Sequence, residues 1–111
     1  MNHQSNPTLP TGGLASAAAA LVSLTDMYAG LPTPYVTIHT FDGTSKIHFQ
    51  IDTLDGFEQW RTALTVPAEV IELKAYACDT WLAATAVFQG IEIKLAGYGI
   101  ELAPELAAVA A

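Results

Sequence analysis

Residues 35–52, YVTIHTFDGTSKIHFQID, decide the fold, because apolar and polar side chains alternate on both sides of a turn signal. The β-branched and aromatic residues favour strands, and the segment DGTS at 42–45 is typical of a hairpin turn. A two-residue loop at Gly43-Thr44 and a four-residue loop over 42–45 predict the same register. One face then carries the pairs Val36–Ile51, Ile38–Phe49 and Thr40–Ile47. The other face carries the pairs Tyr35–Asp52, Thr37–Gln50 and His39–His48.

The sequence from residue 69 to residue 98 predicts a three-stranded antiparallel meander. Its strands are expected at 69–77, 80–88 and 91–98, with two-residue turns at Cys78-Asp79 and Gln89-Gly90. Both turns place apolar residues on one common face, and this agreement supports the two registers. That face comprises Ile71, Leu73, Ala75, Leu82, Ala84, Ala86, Ile93 and Leu95. A bulge at Gly97 to Gly99 would explain why the apolar positions then change phase.

Two helices are predicted, over residues 14–29 and 54–65, because apolar residues recur there at helical spacing. Asp55 with Glu58 has the spacing of a capping box for the second helix, and Thr53 is an alternative cap. The element order is αββαβββ, and the fold class is α+β, with two helices packed on one face of a mostly antiparallel five-stranded sheet. The expected organisation is a flexible N-terminal tail at 1–13, a single α+β domain at 14–102 and a C-terminal tail at 103–111.

The composition is that of a folded and acidic protein. Of the 111 residues 51% are hydrophobic, and 11 Asp and Glu against 4 Lys and Arg give a formal charge of −7. So few cations disfavour nucleic acid and anionic membranes as partners. The apolar stretch 14–24 is shorter than the roughly 20 residues that span a bilayer, and no Lys or Arg precedes it as in a signal peptide. Cys78 is a single cysteine, which suits a reducing compartment, so we expect a cytoplasmic protein.

The sheet face without helices is the predicted partner interface. The registers above place Tyr76, Trp81 and Tyr98 in one row across the meander, and Tyr35 and Val87 on the same face. Exposed apolar patches with polar surroundings commonly mark protein interfaces, although cross-strand aromatic pairs also stabilise sheets by themselves. The leading hypothesis is therefore a small interaction module that forms a homodimer or binds another protein through this face.

His39 and His48 are the low-probability metal candidates, because the predicted register sets the two imidazoles opposite each other. Such a pair could bind zinc or change its charge near neutral pH, but a zinc site usually needs a third ligand. An alternative function is thus a small-molecule or metal-binding protein that uses these two histidines. No catalytic residue and no cofactor motif is assembled in the sequence, so the expectation leans against an enzyme and predicts no cofactor.

The segments FEQWRTAL at 57–64, WLAA at 81–84 and GIEIKLAGY at 90–98 together resemble small uncharacterised proteins of actinobacteria and of their phages or mobile elements. The resemblance extends over residues 14–102. It implies an α+β fold and no particular activity or site residue. With the acidic charge, it adds a third hypothesis, an acidic phage or mobile-element inhibitor of a host protein.

Overall fold

The computed structural model describes residues 11–41, 43–77 and 79–99. Its elements are the 3₁₀ helix Thr11–Leu14, α1 (Ala15–Met27), β1 (Tyr35–Phe41), β2 (Thr44–Ile51), α2 (Leu54–Ala63), the 3₁₀ helix Ala68–Val70, β3 (Glu72–Tyr76), β4 (Asp79–Phe88) and β5 (Ile91–Gly97). The predicted α+β class with two helices and five strands is confirmed. The predicted C-terminal tail lies outside the described residues, whereas residues 11–13 of the predicted N-terminal tail belong to the first 3₁₀ helix.

The five strands form one mixed sheet in the order β1-β2-β5-β4-β3. Neighbours are antiparallel except β2 and β5, which run parallel. β5, the last strand of the described residues, therefore lies in the middle of the sheet, between two hairpins. Hydrophobic burial explains this position, because Ile93 and Leu95 of β5 are almost completely buried. Glu72 and Lys74 suit β3 to its place at an edge, where charged side chains are tolerated.

The predicted register of the first hairpin is wrong by two residues. Tyr35 lies opposite Gln50 and not opposite Asp52, and only residues 42 and 43 separate the two strands. Gly43 has a φ of 76°, a left-handed value that two-residue hairpin turns require. The left-handed conformation of Gly43 therefore overrides the predicted Gly43-Thr44 loop. Because strand side chains alternate with period two, a shift of two residues leaves each of them on its predicted face.

The meander is predicted correctly for one hairpin and wrongly for the other. Leu82 lies opposite Gly97 across β4 and β5, in the predicted register. Between β3 and β4, however, Tyr76 lies opposite Asp79, so residues 77 and 78 form the connection in place of Cys78-Asp79. Ala77 takes a left-handed φ of 54° at this connection. This register is again displaced by two residues, and the predicted faces are again preserved.

Both helices pack on the same face of the sheet, mainly over β2 and β5. The core between these layers consists of Ala17, Ala20, Leu24, Ile47, Phe49, Ile51, Phe57, Trp60, Val66, Ala84, Ala86, Ile93 and Leu95. Trp60 is central to it, because its ring meets Phe49 edge-on at a centroid distance of 4.9 Å. The indole N–H of Trp60 donates a hydrogen bond of 2.7 Å to the carbonyl of Pro32, so its polar atom is satisfied despite burial.

The ends of α2 follow from local hydrogen bonds. Thr53 is the N-cap, and its hydroxyl accepts from the backbone N–H of Gly56 at 3.0 Å, so Asp55 is not the cap. At the other end the N–H of Val66 donates to the carbonyl of Arg61, and the N–H of Thr65 donates to Thr62. This is a Schellman motif, and it ends the helix two residues before the predicted boundary. Thr65 occupies its left-handed position with a φ of 61°.

Gly97, the last residue of β5, allows α2 to pack closely against the sheet. The parallel register of β2 and β5 runs unbroken to Gly97, and the N–H of Tyr98 then donates to Ile51 at 2.7 Å. A β-carbon on Gly97 would lie 2.7 Å from the ring of Phe57. Gly97 therefore lets α2 approach the sheet. The bulge predicted at Gly97 to Gly99 rests on a change of phase at residues 100 and 102, which lie outside the described residues, so it stays a prediction.

Candidate functional site

The helices leave one side of the sheet uncovered, which we call the open face. The strand registers arrange its side chains in rows that cross the sheet from β1 to β3. The middle row is Tyr35, Gln50, Ala96, Ala83 and Glu72. The row on one side of it is Tyr98, Trp81 and Lys74, and the row on the other side is Thr37, His48, Lys94 and Thr85. The next row is His39, Lys46, Glu92 and Val87.

A groove of about 470 Å³ lies in the open face, and we call it the central groove. Ala83 and Ala96 form its floor, because their methyl groups are shorter than the side chains of the neighbouring rows. Trp81 and Lys74 line it on one side, and His48 and Lys94 line it on the other. A hollow of this kind requires small residues between large ones, which is the pattern that the middle row supplies.

Trp81 and Tyr98 form the aromatic part of the surface. Their rings stack with a centroid distance of 5.8 Å and an interplanar angle of 26°. Tyr76 does not complete the predicted row of three, because Lys74 takes the position opposite Trp81. The shifted register moves Tyr76 one row outwards, opposite Asp79, where its side chain is 77% exposed.

The other two predicted interface residues lie far apart on the same face. Tyr35 is on the edge strand β1 and is 71% exposed, whereas Val87 on β4 is 71% exposed opposite Glu92. Gln50 and Ala96 separate Tyr35 from Ala83 of the groove floor along the middle row. The five predicted residues are therefore not one patch, and the structure brings only Trp81 and Tyr98 into contact.

His39 and His48 meet, although not in the predicted way. His39 is opposite Lys46, and His48 is opposite Thr37, so the two imidazoles are diagonal neighbours. Their ring centroids are 5.9 Å apart. Together with Lys46 and Lys94 they line a second cavity of about 220 Å³. His48 and Lys94 also line the central groove, so the two cavities adjoin.

Charge on this part of the open face is mixed. Glu92 lies between two lysines, 3.8 Å from the Lys46 amine and 3.2 Å from that of Lys94, and the amine of Lys74 lies 3.1 Å from the carboxylate of Glu72. Burial lowers the pKa of His48 below its ordinary value, and the nearby charges of His39 and Lys94 lower it further. The lowered pKa favours the neutral form of His48, which can both donate and accept a hydrogen bond.

The surroundings of the two histidines are unfavourable for a metal cation. Within residues 11–41, 43–77 and 79–99, no group of three or more His, Cys, Asp and Glu side chains could hold a metal ion. Lys46 and Lys94 beside the imidazoles repel a cation electrostatically.

The sequence reasoning missed the floor of the groove. Ala83 and Ala96 look featureless in the sequence, and only their alignment across β4 and β5 makes them a hollow. The signal was available in principle, because the β4–β5 register is predicted correctly and pairs these two alanines. The sequence did not predict that β2 pairs with β5. This parallel pairing places His48 beside Lys94.

Comparisons with protein-family models, with curated proteins and with solved structures found no match for this chain. A search of the described residues found no helix with both the length and the apolar character needed to cross a membrane.

Proposed function

We propose that this protein is an interaction module that binds a partner protein through the open face, with the central groove as the centre of the contact. The observation that carries the proposal is the groove itself, a hollow with an alanine floor beside the stacked rings of Trp81 and Tyr98. Tryptophan and tyrosine dominate the energetics of protein interfaces, and they do so where a partner side chain fills an adjoining pocket.

The lining indicates what the partner carries. An apolar side chain suits the floor of Ala83 and Ala96, since burial of apolar surface there is favourable. A carboxylate suits the side where Lys94 and His48 join the second cavity, because it can accept hydrogen bonds from both. We therefore infer a partner segment with an aliphatic or aromatic residue close to an Asp or Glu. Lys94 would then be shared between Glu92 and the partner.

A phage-displayed library of random peptides tests the proposal without knowledge of the natural partner. Selection against the wild-type protein should enrich peptides in which an apolar residue stands near an acidic one, and Trp81→Lys should lose them. Val22→Lys is the matched control, because Val22 is 67% exposed on α1, on the helix side of the sheet. Selected peptides that bind Trp81→Lys as well as the wild type would refute the proposal, as would enrichment without this pattern.

A second copy of the chain is the other occupant that the open face would admit, as in the homodimer of the leading hypothesis. Sedimentation equilibrium of the wild type and of Trp81→Lys decides this point. A wild-type dimer that becomes a monomer in Trp81→Lys would assign the groove to self-association. A monomer in both would remove that form of the proposal. An acidic inhibitor of a host protein would use the same surface, and it is a special case of partner binding.

A second candidate function is the binding of a small carboxylate at His39 and His48. The specific observation is that two of the four cationic side chains of an acidic chain line one cavity with these imidazoles. Thermal unfolding with malonate and with Zn²⁺ separates the two ligand chemistries. Malonate should raise the melting temperature of the wild type and not of His48→Gln, whereas Zn²⁺ should not. An increase with Zn²⁺ alone would favour the metal alternative.

A further inference from the structure

β3 is an edge strand that is exposed on both of its faces. All five of its residues are exposed, and Leu73, on the helix side, is 44% exposed because the helices pack mainly over β2 and β5. Val70, just before the strand, is 56% exposed. An edge strand with exposed apolar residues is a template for pairing with another strand.

The hairpin geometry shows which backbone groups of β3 are available for such pairing. Tyr76 lies opposite Asp79 across a two-residue connection, and the residues that flank such a connection exchange both backbone hydrogen bonds. Because hydrogen-bonded pairs alternate along an antiparallel ladder, Lys74 and Glu72 also direct their backbone groups towards β4. The N–H and C=O groups of Leu73 and Ala75 therefore point outwards, away from the sheet.

We propose that β3 pairs antiparallel with β3 of a second copy of this chain, about a two-fold axis at Leu73, so that two sheets join into one of ten strands. The symmetry is that of an isologous dimer, in which the same patch serves both subunits. In this register the outward backbone groups of Leu73 pair with those of Leu73 in the second copy. Ala75 in the same way pairs with residue 71 of the other chain.

Charge complementarity selects this register over its neighbour. An axis at Leu73 places Glu72 opposite Lys74 of the second copy, and it does so twice because of the symmetry. An axis at Lys74 would instead place the two Lys74 side chains directly opposite each other, which is unfavourable. The axis at Leu73 also brings the two exposed leucines together on the helix side. The register with its axis at Leu73 thus pairs Glu72 with Lys74 of the second copy and also covers the exposed Leu73 side chain.

The proposed contact does not rest on the function proposed for the central groove, although Glu72 and Lys74 also line that groove. It uses the outer edge of β3, the helix side of Leu73 and the side chains of Glu72 and Lys74, whereas a partner in the groove contacts the alanine floor with Trp81, His48 and Lys94 around it. The consequence for the open face is that two grooves would lie on one continuous surface, related by the two-fold axis.

A pair of charge variants at the axis tests the dimer and its register together. In sedimentation equilibrium under reducing conditions, the wild type should have twice the chain mass of 11.7 kDa. Leu73→Lys and Leu73→Glu should each sediment as single chains, since like charges would meet at the axis. An equimolar mixture of the two variants should recover the doubled mass, because Lys then faces Glu. Circular dichroism of each variant shows whether it is folded.

Each sedimentation result that differs from these expectations contradicts a specific part of the proposal. A wild type that stays at 11.7 kDa at all concentrations refutes the dimer. Single variants that still dimerise place the interface elsewhere, and a mixture that stays monomeric refutes the axis at Leu73. Val22→Lys and Trp81→Lys are the controls and should remain dimers, so a dimer through the groove is distinguished from one through β3. Glu72→Lys should weaken association about tenfold, since two attractive pairs become repulsive.

Discussion

Replacing Gly97 by alanine should destabilise the protein through a single contact. The new methyl group would lie 2.7 Å from Cδ1 and 2.8 Å from Cγ of Phe57, where carbon atoms prefer about 3.5–4.0 Å. Phe57 is completely buried and cannot move aside without disturbing α2 or the sheet. Overpacking of this kind costs about 1–3 kcal/mol, and the lower entropy of the unfolded alanine chain offsets about 0.4–1 kcal/mol. We therefore expect a net loss of about 1–2 kcal/mol in the free energy of unfolding.

Urea denaturation followed by tryptophan fluorescence, to which the buried Trp60 contributes, measures this loss. Gly30→Ala is the matched control, because a β-carbon there meets nothing within 4 Å and the variant should be at least as stable as the wild type. The double variant Phe57→Leu/Gly97→Ala should lose less than the sum of the two single losses, since the smaller leucine relieves the clash. Equal stability of Gly97→Ala and the wild type would show that the close approach of α2 does not depend on this glycine.

Three further outcomes are expected in the same assay. Thr65→Gly should raise the free energy of unfolding by about 1 kcal/mol, because Thr65 is β-branched at a left-handed φ of 61°; a loss of stability would contradict the strain. Thr53→Ala should lower the free energy of unfolding by about 1 kcal/mol through loss of the cap on Gly56, whereas Thr53→Ser should retain most of it. His48 has a lowered pKa when folded, so its contribution is complete above about pH 6.5 and decreases as the pH falls from there to the folded pKa. His48→Gln should flatten that part of the pH profile, and an unchanged profile would place the dependence on other groups.

The layers of this fold are readable from the sequence because they depend on local periodicity. The alternation in residues 35–52 and the helical spacing in 54–65 predict the right elements, and every strand keeps its predicted face. The registers of two hairpins fail because apolar pairing alone does not distinguish shifts of two residues. Turn geometry decides them, through the φ of Gly43 in one hairpin and of Ala77 in the other.

The site was harder to predict because it is made by tertiary pairing. Tyr98 directly follows β5 and stacks on Trp81 of β4, and their contact follows from a correctly predicted turn. His48 lies beside Lys94 only because β2 and β5 are parallel neighbours, and no local sequence pattern predicts that pairing. His39 and His48 were predicted to lie opposite each other, in a register that proved wrong. Their rings are still close in the structure, because aromatic side chains can also reach diagonal neighbours in a sheet.

The central position of β5 has a consequence for how the chain folds. Each of the two flanking hairpins can close by itself within about 1–10 μs, but nothing joins them until β5 enters between them. During synthesis, the edge of β2 that carries Ile47 and Phe49 therefore stays unpaired until residues 91–97 have been synthesised. Non-local pairing of this kind slows folding and exposes strand edges to aggregation. The nascent chain is thus most prone to aggregation just before β5 inserts between the two hairpins and completes the sheet.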